Sequence, residues 1–176
     1  MNPDMSSPLR AMLLIALFVQ CSPRSSRDTA PPPAATDRGS VLTGKVYVTG
    51  SEPLTRATLV RDEPGEIILL GGLEPELRRL SGATVLVRGR ESRQGPNRTL
   101  DVENYEVLSV DGEAPAVGTL EYRDNRVLLI GRDTVELTSI PAGLRTKHGA
   151  KVWIVGQRAG NMLEVRSFGV LREASR

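Results

Sequence analysis

The stretch "SGATVLVRG", from Ser81 to Gly89, returns sixty-seven residues later as "HGAKVWIVG", from His148 to Gly156. In both copies a glycine is followed by alternating positions that are rich in β-branched residues, which is the pattern of a half-buried strand. The positions that we expect to face a core are Val85, Val87, Val152 and Ile154. The sequence therefore predicts the same strand twice.

The similarity extends over both halves of the chain after Ser40. Each half contains three short strand patterns, a helical segment and two further strand patterns, and the predicted helical segments are Glu74–Gly82 and Pro141–Gly149. A match of this length indicates an internal duplication. The clearest equivalent pairs are Gly44 and Gly118, Leu77 and Leu144, Gly82 and Gly149, Gly89 and Gly156, Tyr105 and Phe168, and Val107 and Val170.

The last strand of each copy contains a break in its alternation. Leu100 and Val102 are in phase, but the next apolar residue, Tyr105, follows after three positions, and the second copy repeats this step before Phe168. Side chains of a strand alternate between its faces, so both sets can point inward only if a bulge or a bend intervenes. We therefore predict a β-bulge or a bend in each last strand.

Five strands with a helix between the third and the fourth resemble the OB-fold, a small Greek-key barrel. The resemblance implies an all-β protein with short helices, built of two tandem five-stranded barrels at 41–110 and 111–173, with a tail at 174–176. A barrel of this size buries little surface alone, so the two should pack together. Leu86 and Trp153 fall on the outer face, which we expect to lie at the contact between the barrels or on a partner.

The N-terminal region carries the pattern of an export signal. Arg10 precedes the apolar run Ala11–Val19, which is too short to span a membrane, and Cys21 follows directly. Residues 1–21 resemble a bacterial lipoprotein signal. The resemblance implies a lipid on Cys21 and a periplasm-facing protein, at the outer rather than the inner membrane because Ser22 follows. A cleaved signal of a secreted protein and a cytoplasmic protein remain the alternatives.

Residues 22–40 are rich in proline, serine and alanine and contain no large apolar residue. Such a segment cannot bury a core, so we expect a disordered tether. Cys21 is the only cysteine, which excludes an intrachain disulfide and a cysteine-based metal cluster.

The residues offer little for catalysis. His148 is the only histidine, and the nucleophile-elbow motif of hydrolases does not occur. Carboxylates cluster at Asp62–Glu66 and along the last strand of the first copy, but arginines close in sequence can neutralise them. We therefore expect no enzyme, no cofactor and no metal site.

The predicted loop Gly89–Arg98 is the best candidate for a binding surface, because loops at this place line the ligand face of OB barrels. It is four residues longer than its counterpart. The candidate binding residues are Arg90, Arg93, Asn97 and Arg98, with the aromatic residues Tyr122 and Trp153.

The sequence thus favours a membrane-tethered, non-catalytic binding or scaffolding module of the bacterial cell envelope, with an envelope protein or another ligand as its partner. The alternative is an OB-fold protein that binds oligonucleotides. Residues 41–110 carry nine basic and ten acidic side chains, and residues 111–173 carry nine and eight. This balance argues against nucleic acid, which is bound mainly through excess positive charge.

Overall fold

Residues 39–62 and 65–174, which this computed structural model describes, form ten strands and one short helix. The signal segment, Cys21 and the tether up to residue 38 lie outside the described residues, as do the last two residues. The strands are β1 (Gly39–Thr49), β2 (Arg56–Val60), β3 (Glu66–Leu70), β4 (Thr84–Gln94), β5 (Asn97–Ser109), β6 (Ala116–Arg123), β7 (Arg126–Gly131), β8 (Thr134–Thr138), β9 (Lys151–Ala159) and β10 (Met162–Arg172), and the helix is α1 (Glu74–Arg78). Within this part of the chain no helix is long and apolar enough to cross a membrane.

The strands form two five-stranded sheets with the same internal order. The first sheet runs β1–β2–β3–β5–β4, and β4 pairs back onto β1, so the sheet closes on itself. All its pairs are antiparallel except β3 with β5. The second sheet repeats this order with β6 to β10, including the parallel pair of β8 and β10. The predictions of a β-rich chain and of two five-stranded sheets are confirmed.

The helical segments of the two copies differ. The first contains α1, with Glu74 and Glu76 in its first turn and Arg78 in its last, charges that suit the helix dipole. The predicted helix at Pro141–Gly149 is wrong, because this segment forms turns. Gly143 is a poor helix former at the position of Glu76, which explains the loss. Leu144 is nevertheless fully buried, as its equivalent Leu77 is.

Both predicted bulges are confirmed. The pairing of β4 with β5 skips Glu103, and the pairing of β9 with β10 skips Arg166, which lie at the predicted breaks in alternation. The glycine opposite each bulge is required by close backbone contact. A Cβ atom on Gly89 would overlap the carbonyl oxygen of Asp101, and one on Gly156 would overlap that of Glu164.

Each sheet encloses its own core. The four residues expected to face a core are fully buried, as predicted: Val85, Val87, Val152 and Ile154. Three residues of the second sheet contribute to the core of the first, because Leu171 is buried in it and Val117 and Trp153 pack against it. The outer face that carries Trp153 therefore lies at the contact between the sheets, as the sequence predicts. Leu108, the equivalent of Leu171, is 37% exposed.

The predicted loop Gly89–Arg98 is instead a β-hairpin. β4 continues to Gln94 and β5 begins at Asn97, so only Gly95 and Pro96 form the turn. Gly95 has a positive φ of 61°, which glycine adopts without strain. The four extra residues of the first copy are shared equally between the two strands. Each arm of this hairpin is therefore two residues longer than the equivalent arm of the β9–β10 hairpin.

Candidate functional site

The four predicted binding residues of the first copy lie together on the β4–β5 hairpin. Arg93 is opposite Arg98, and Asn97 is opposite Gln94 beside the turn. Arg90 lies nearer the bulge and is exposed. The hairpin thus presents three arginines within one short segment at the end of the first sheet.

Carboxylates neutralise two of these arginines. The Arg90 side chain donates to Glu103 at 3.0 Å, and that of Arg98 to Glu91 at 2.7 Å. Exposed pairs of this kind contribute about 0–1 kcal/mol each, so a ligand can displace them at small cost. Arg93 has no ion-pair partner within the described residues, so its guanidinium is the most available of the three.

Tyr122 and Trp153 are not part of this hairpin. The Tyr122 ring lies 5.3 Å from the ring of His148, and its hydroxyl donates to the carbonyl of Leu144 at 2.6 Å. Burial raises the pKa of Tyr122 against smaller opposing effects from Lys147 and Arg145. Trp153 is packed between the sheets. The sequence-predicted site residues therefore occupy three separate places.

A row of side chains crosses the outer face of the first sheet, one from each strand. This outer-face row consists of Tyr47, Thr58, Ile68, Thr99 and Ser92, which are neighbours in the strand register. Thr58 and Thr99 are buried, and each shares a 2.7 Å hydrogen bond with a neighbouring hydroxyl, from Thr49 and Ser92 respectively. The row ends on the β4–β5 hairpin at Ser92.

The same row in the second sheet has a different chemistry. Its members, by equivalent register, are Glu121, Leu128, Glu136, Met162 and Ala159. They include no hydroxyl group and no aromatic ring. Only the first sheet therefore combines an exposed tyrosine, a set of hydroxyls and a long arginine-bearing hairpin.

A buried polar group joins the two sheets, which sequence reasoning missed. Glu76 of α1 is only 4% exposed, and its carboxylate accepts hydrogen bonds from the Tyr105 hydroxyl and from Lys151 Nζ, the latter at 2.7 Å. Arg172 lies 3.2 Å from the other carboxylate oxygen. Lys151 also lies 4.5 Å from the centroid of the Tyr105 ring. We call these four residues the Glu76 cluster.

The cluster alters the ionisation of its members. Burial acts to raise the pKa of Glu76, but hydrogen bonds from Lys151 and Tyr105 and the charges of Lys151 and Arg172 outweigh it, so the net pKa is lowered. Burial raises the pKa of Tyr105 strongly, and the adjacent Glu76 carboxylate raises it further. Glu76 is thus held as an anion and Tyr105 as a neutral donor.

The second copy lacks this cluster. The equivalents of Glu76 and Tyr105 are Gly143 and Phe168, so the carboxylate and the phenol hydroxyl are absent together. A Cβ atom on Gly143 would lie 3.4 Å from the Phe168 ring, in ordinary van der Waals contact. This paired difference between the copies is the signal in the sequence from which the cluster could have been found.

A cavity of about 310 Å³ lies between the two sheets next to the cluster. Leu129 and Val135 from the second core contribute to its wall, together with Val107 of the first sheet. Its charged lining comprises Arg132, Arg158, Lys151, Glu106 and Asp133. We call this cavity the inter-sheet cleft.

The described residues offer no metal centre. Within 39–62 and 65–174, no three or more His, Cys, Asp or Glu side chains converge so that they could hold an ion. The carboxylates along β5 face arginines instead, as Glu103 faces Arg90.

A scan against protein-family models gives no match, and a search of curated proteins gives no significant match.

Proposed function

We propose that this chain is a membrane-tethered, non-catalytic binding or scaffolding module of the bacterial cell envelope, and that each of its sheets is an OB-like barrel. The barrel assignment is supported in both sheets by the closed strand order and in the first sheet by α1 between β3 and β4. OB-folds bind ligands on the face of strands two and three and on the loops that flank it. In the first sheet this is the outer-face row and the β4–β5 hairpin.

The single observation that carries the proposal is the difference between the two copies at this face. Tyr47 is 41% exposed at one end of the row, and Arg93 lies on the extended hairpin beyond its other end. The equivalent face of the second sheet has neither an aromatic ring nor a long hairpin. This difference between two copies with the same core supports the proposal that the first face serves a ligand.

Oligonucleotide binding is the second candidate, and the exposed ring of Tyr47 favours it because bases stack on such platforms. The charge distribution disfavours it. Arg90 and Arg98 already face carboxylates, and Trp153 is covered by the first sheet. A partner with a polar, weakly charged surface, such as another envelope protein, suits this face better.

The proposed location in the cell envelope depends on a lipid attached to Cys21, and the Cys21→Ala variant tests it. We expect the unchanged chain in the detergent-soluble membrane fraction and the variant in the soluble periplasmic fraction. Equal fractionation of the two would contradict the proposed lipid anchor. It would leave the binding face to be tested separately.

The binding face is tested by photo-crosslinking in intact cells. A photoreactive phenylalanine derivative replaces Tyr47 in one variant and Arg93 in a second. The matched control carries it at Met162, which occupies the same row in the second sheet and is 49% exposed. We expect both test positions to crosslink to the same envelope component and the control to give no such product.

Two results would contradict this interpretation. Identical products from the control would show that the first face is not special, and no product from either test position would show that it is unoccupied. A product that nuclease digests would support the oligonucleotide alternative instead. Salt-sensitive binding of single-stranded DNA by the purified chain would point the same way.

A further inference from the structure

We propose that the inter-sheet cleft is a second ligand site, distinct from the outer face of the first sheet, and that it binds a small organic carboxylate with an apolar body. The cleft is separate from the proposed binding face, so either proposal can be correct when the other is wrong. Its size, its lining and the state of its charged groups carry the argument.

The size of the cleft limits the ligand. A volume of 310 Å³ is at the lower end of ligand pockets in proteins. Since a water molecule occupies about 30 Å³ in the liquid, the cleft holds a ligand of roughly ten non-hydrogen atoms. Macromolecular segments and drug-sized molecules are therefore too large to enter it fully.

The apolar residues that line the cleft are the reason that we propose a ligand with an apolar body. Leu129 and Val135 are buried members of the second core, yet both reach the cleft, where Val107 and Val117 of the two sheets join them. An apolar group bound here would contact these side chains and would cover the remaining surface of Val117, which is only partly buried. Burial of this surface stabilises the complex.

The positively charged residues that line the cleft are the reason that we propose a ligand with a carboxylate group. Lys151 lines the cleft, and its ammonium group uses two of its three N–H donors, for Glu76 and the Tyr105 hydroxyl, which fixes the position of this group. The third donor remains for a ligand. A fixed ammonium group binds an anion at a lower entropic cost than a mobile one.

Two arginines supplement Lys151. Arg132 bonds to Glu106 at 3.0 Å across the contact between the sheets, and Arg158 lies 3.5 Å from Asp133. Both arginine side chains are more than half exposed and each guanidinium group has five donors, so these pairs leave most of their hydrogen-bonding capacity free. A ligand carboxylate can accept from either without breaking a buried pair.

The test uses the full chain with cyclohexanecarboxylate as the probe, because this anion matches the cleft in size. Binding is followed by NMR through the methyl signals of Val107, Leu129 and Val135. We expect saturable shifts at these methyls with a dissociation constant below about 1 mM. Cyclohexylmethanol, which has the same ring without the charge, should bind at least about ten-fold more weakly.

Arg132→Gln and Arg158→Gln should each weaken the binding of the carboxylate several-fold and leave that of the alcohol unchanged. The matched control is Arg123→Gln, because Arg123 is an exposed arginine of the second sheet that is paired with Glu121 away from the cleft. Unchanged methyl signals elsewhere in each variant verify its fold. Lys151 is left intact in this series because it belongs to the Glu76 cluster.

Three results would overturn the proposal. These are the absence of saturable shifts, equal affinity for the alcohol and the carboxylate, and equal weakening by Arg123→Gln. Inorganic phosphate serves as a further probe. If it produced the same shifts at the same affinity, the site would be a simple anion site and the apolar part of the proposal would be wrong.

Discussion

Lys151 Nζ of the second sheet lies 2.7 Å from Oε2 of Glu76 in the helix of the first sheet, and Glu76 is almost fully buried. This contact places a charge pair at the interface of two duplicated units. Neither sheet can satisfy it alone, because the equivalents of Lys151 and Glu76 are Thr84 and Gly143. The pair therefore forms only across the contact between the two sheets.

We expect Glu76→Gln to lower the free energy of unfolding by about 2–4 kcal/mol, because it leaves the mostly buried Lys151 side chain without its carboxylate partner. Urea unfolding of the full chain measures this. The control is Glu173→Gln, which removes the exposed partner of Lys147 and should cost at most about 1 kcal/mol. Equal losses for the two variants would show that the buried pair has no special role.

The stability of the protein should fall in acid partly through Glu76. Its pKa in the folded protein is below its ordinary value of 4.5, so its contribution is fully present above that value and is lost as the pH falls through the lowered pKa. Unfolding free energies at about pH 6 and about pH 3 should therefore differ more in the unchanged protein than in Glu76→Gln. The same difference in both would contradict the lowered pKa.

Leu171 and Leu108 allow one substitution to be compared at equivalent positions. Leu171 is 1% exposed in the first core, whereas Leu108 is 37% exposed. We expect Leu171→Ala to cost about 2–5 kcal/mol, as a buried leucine does, and Leu108→Ala to cost below about 1 kcal/mol. Thermal and urea unfolding provide the measurement. A large loss for Leu108→Ala would mean that a partner or another copy covers that position.

The sequence was sufficient for the features that depend on local pattern. The step from Val102 to Tyr105 predicted a bulge or a bend between these residues, which the structure shows as a bulge at Glu103, and the repeated strand placed Val85 and Val152 in equivalent core positions. These features follow from which face of a strand each side chain takes. The helix predicted around Leu144 failed because duplication conserved the buried leucine but not the helix-forming residues around it.

The inter-sheet features required the structure. Glu76 and Lys151 are seventy-five residues apart, and no periodicity connects a helix of one copy with a strand of the other. The inter-sheet cleft likewise draws Val107 and Arg132 from different copies. The hairpin at Arg93 was expected as a loop because "GRESRQGPNR" is polar and contains glycine and proline, although its arms pair regularly.

The two glycines opposite the bulges provide the last prediction. Gly89→Ala and Gly156→Ala should each lower the free energy of unfolding by about 2–4 kcal/mol, because the added methyl group overlaps a backbone carbonyl of the paired strand, which cannot move aside as a side chain can. Gly72→Ala is the control, since no atom lies within 4 Å of its Cβ position and its φ is not positive. Urea unfolding separates the two cases. If all three variants unfolded alike, close approach at the bulges would not be what keeps these positions glycine.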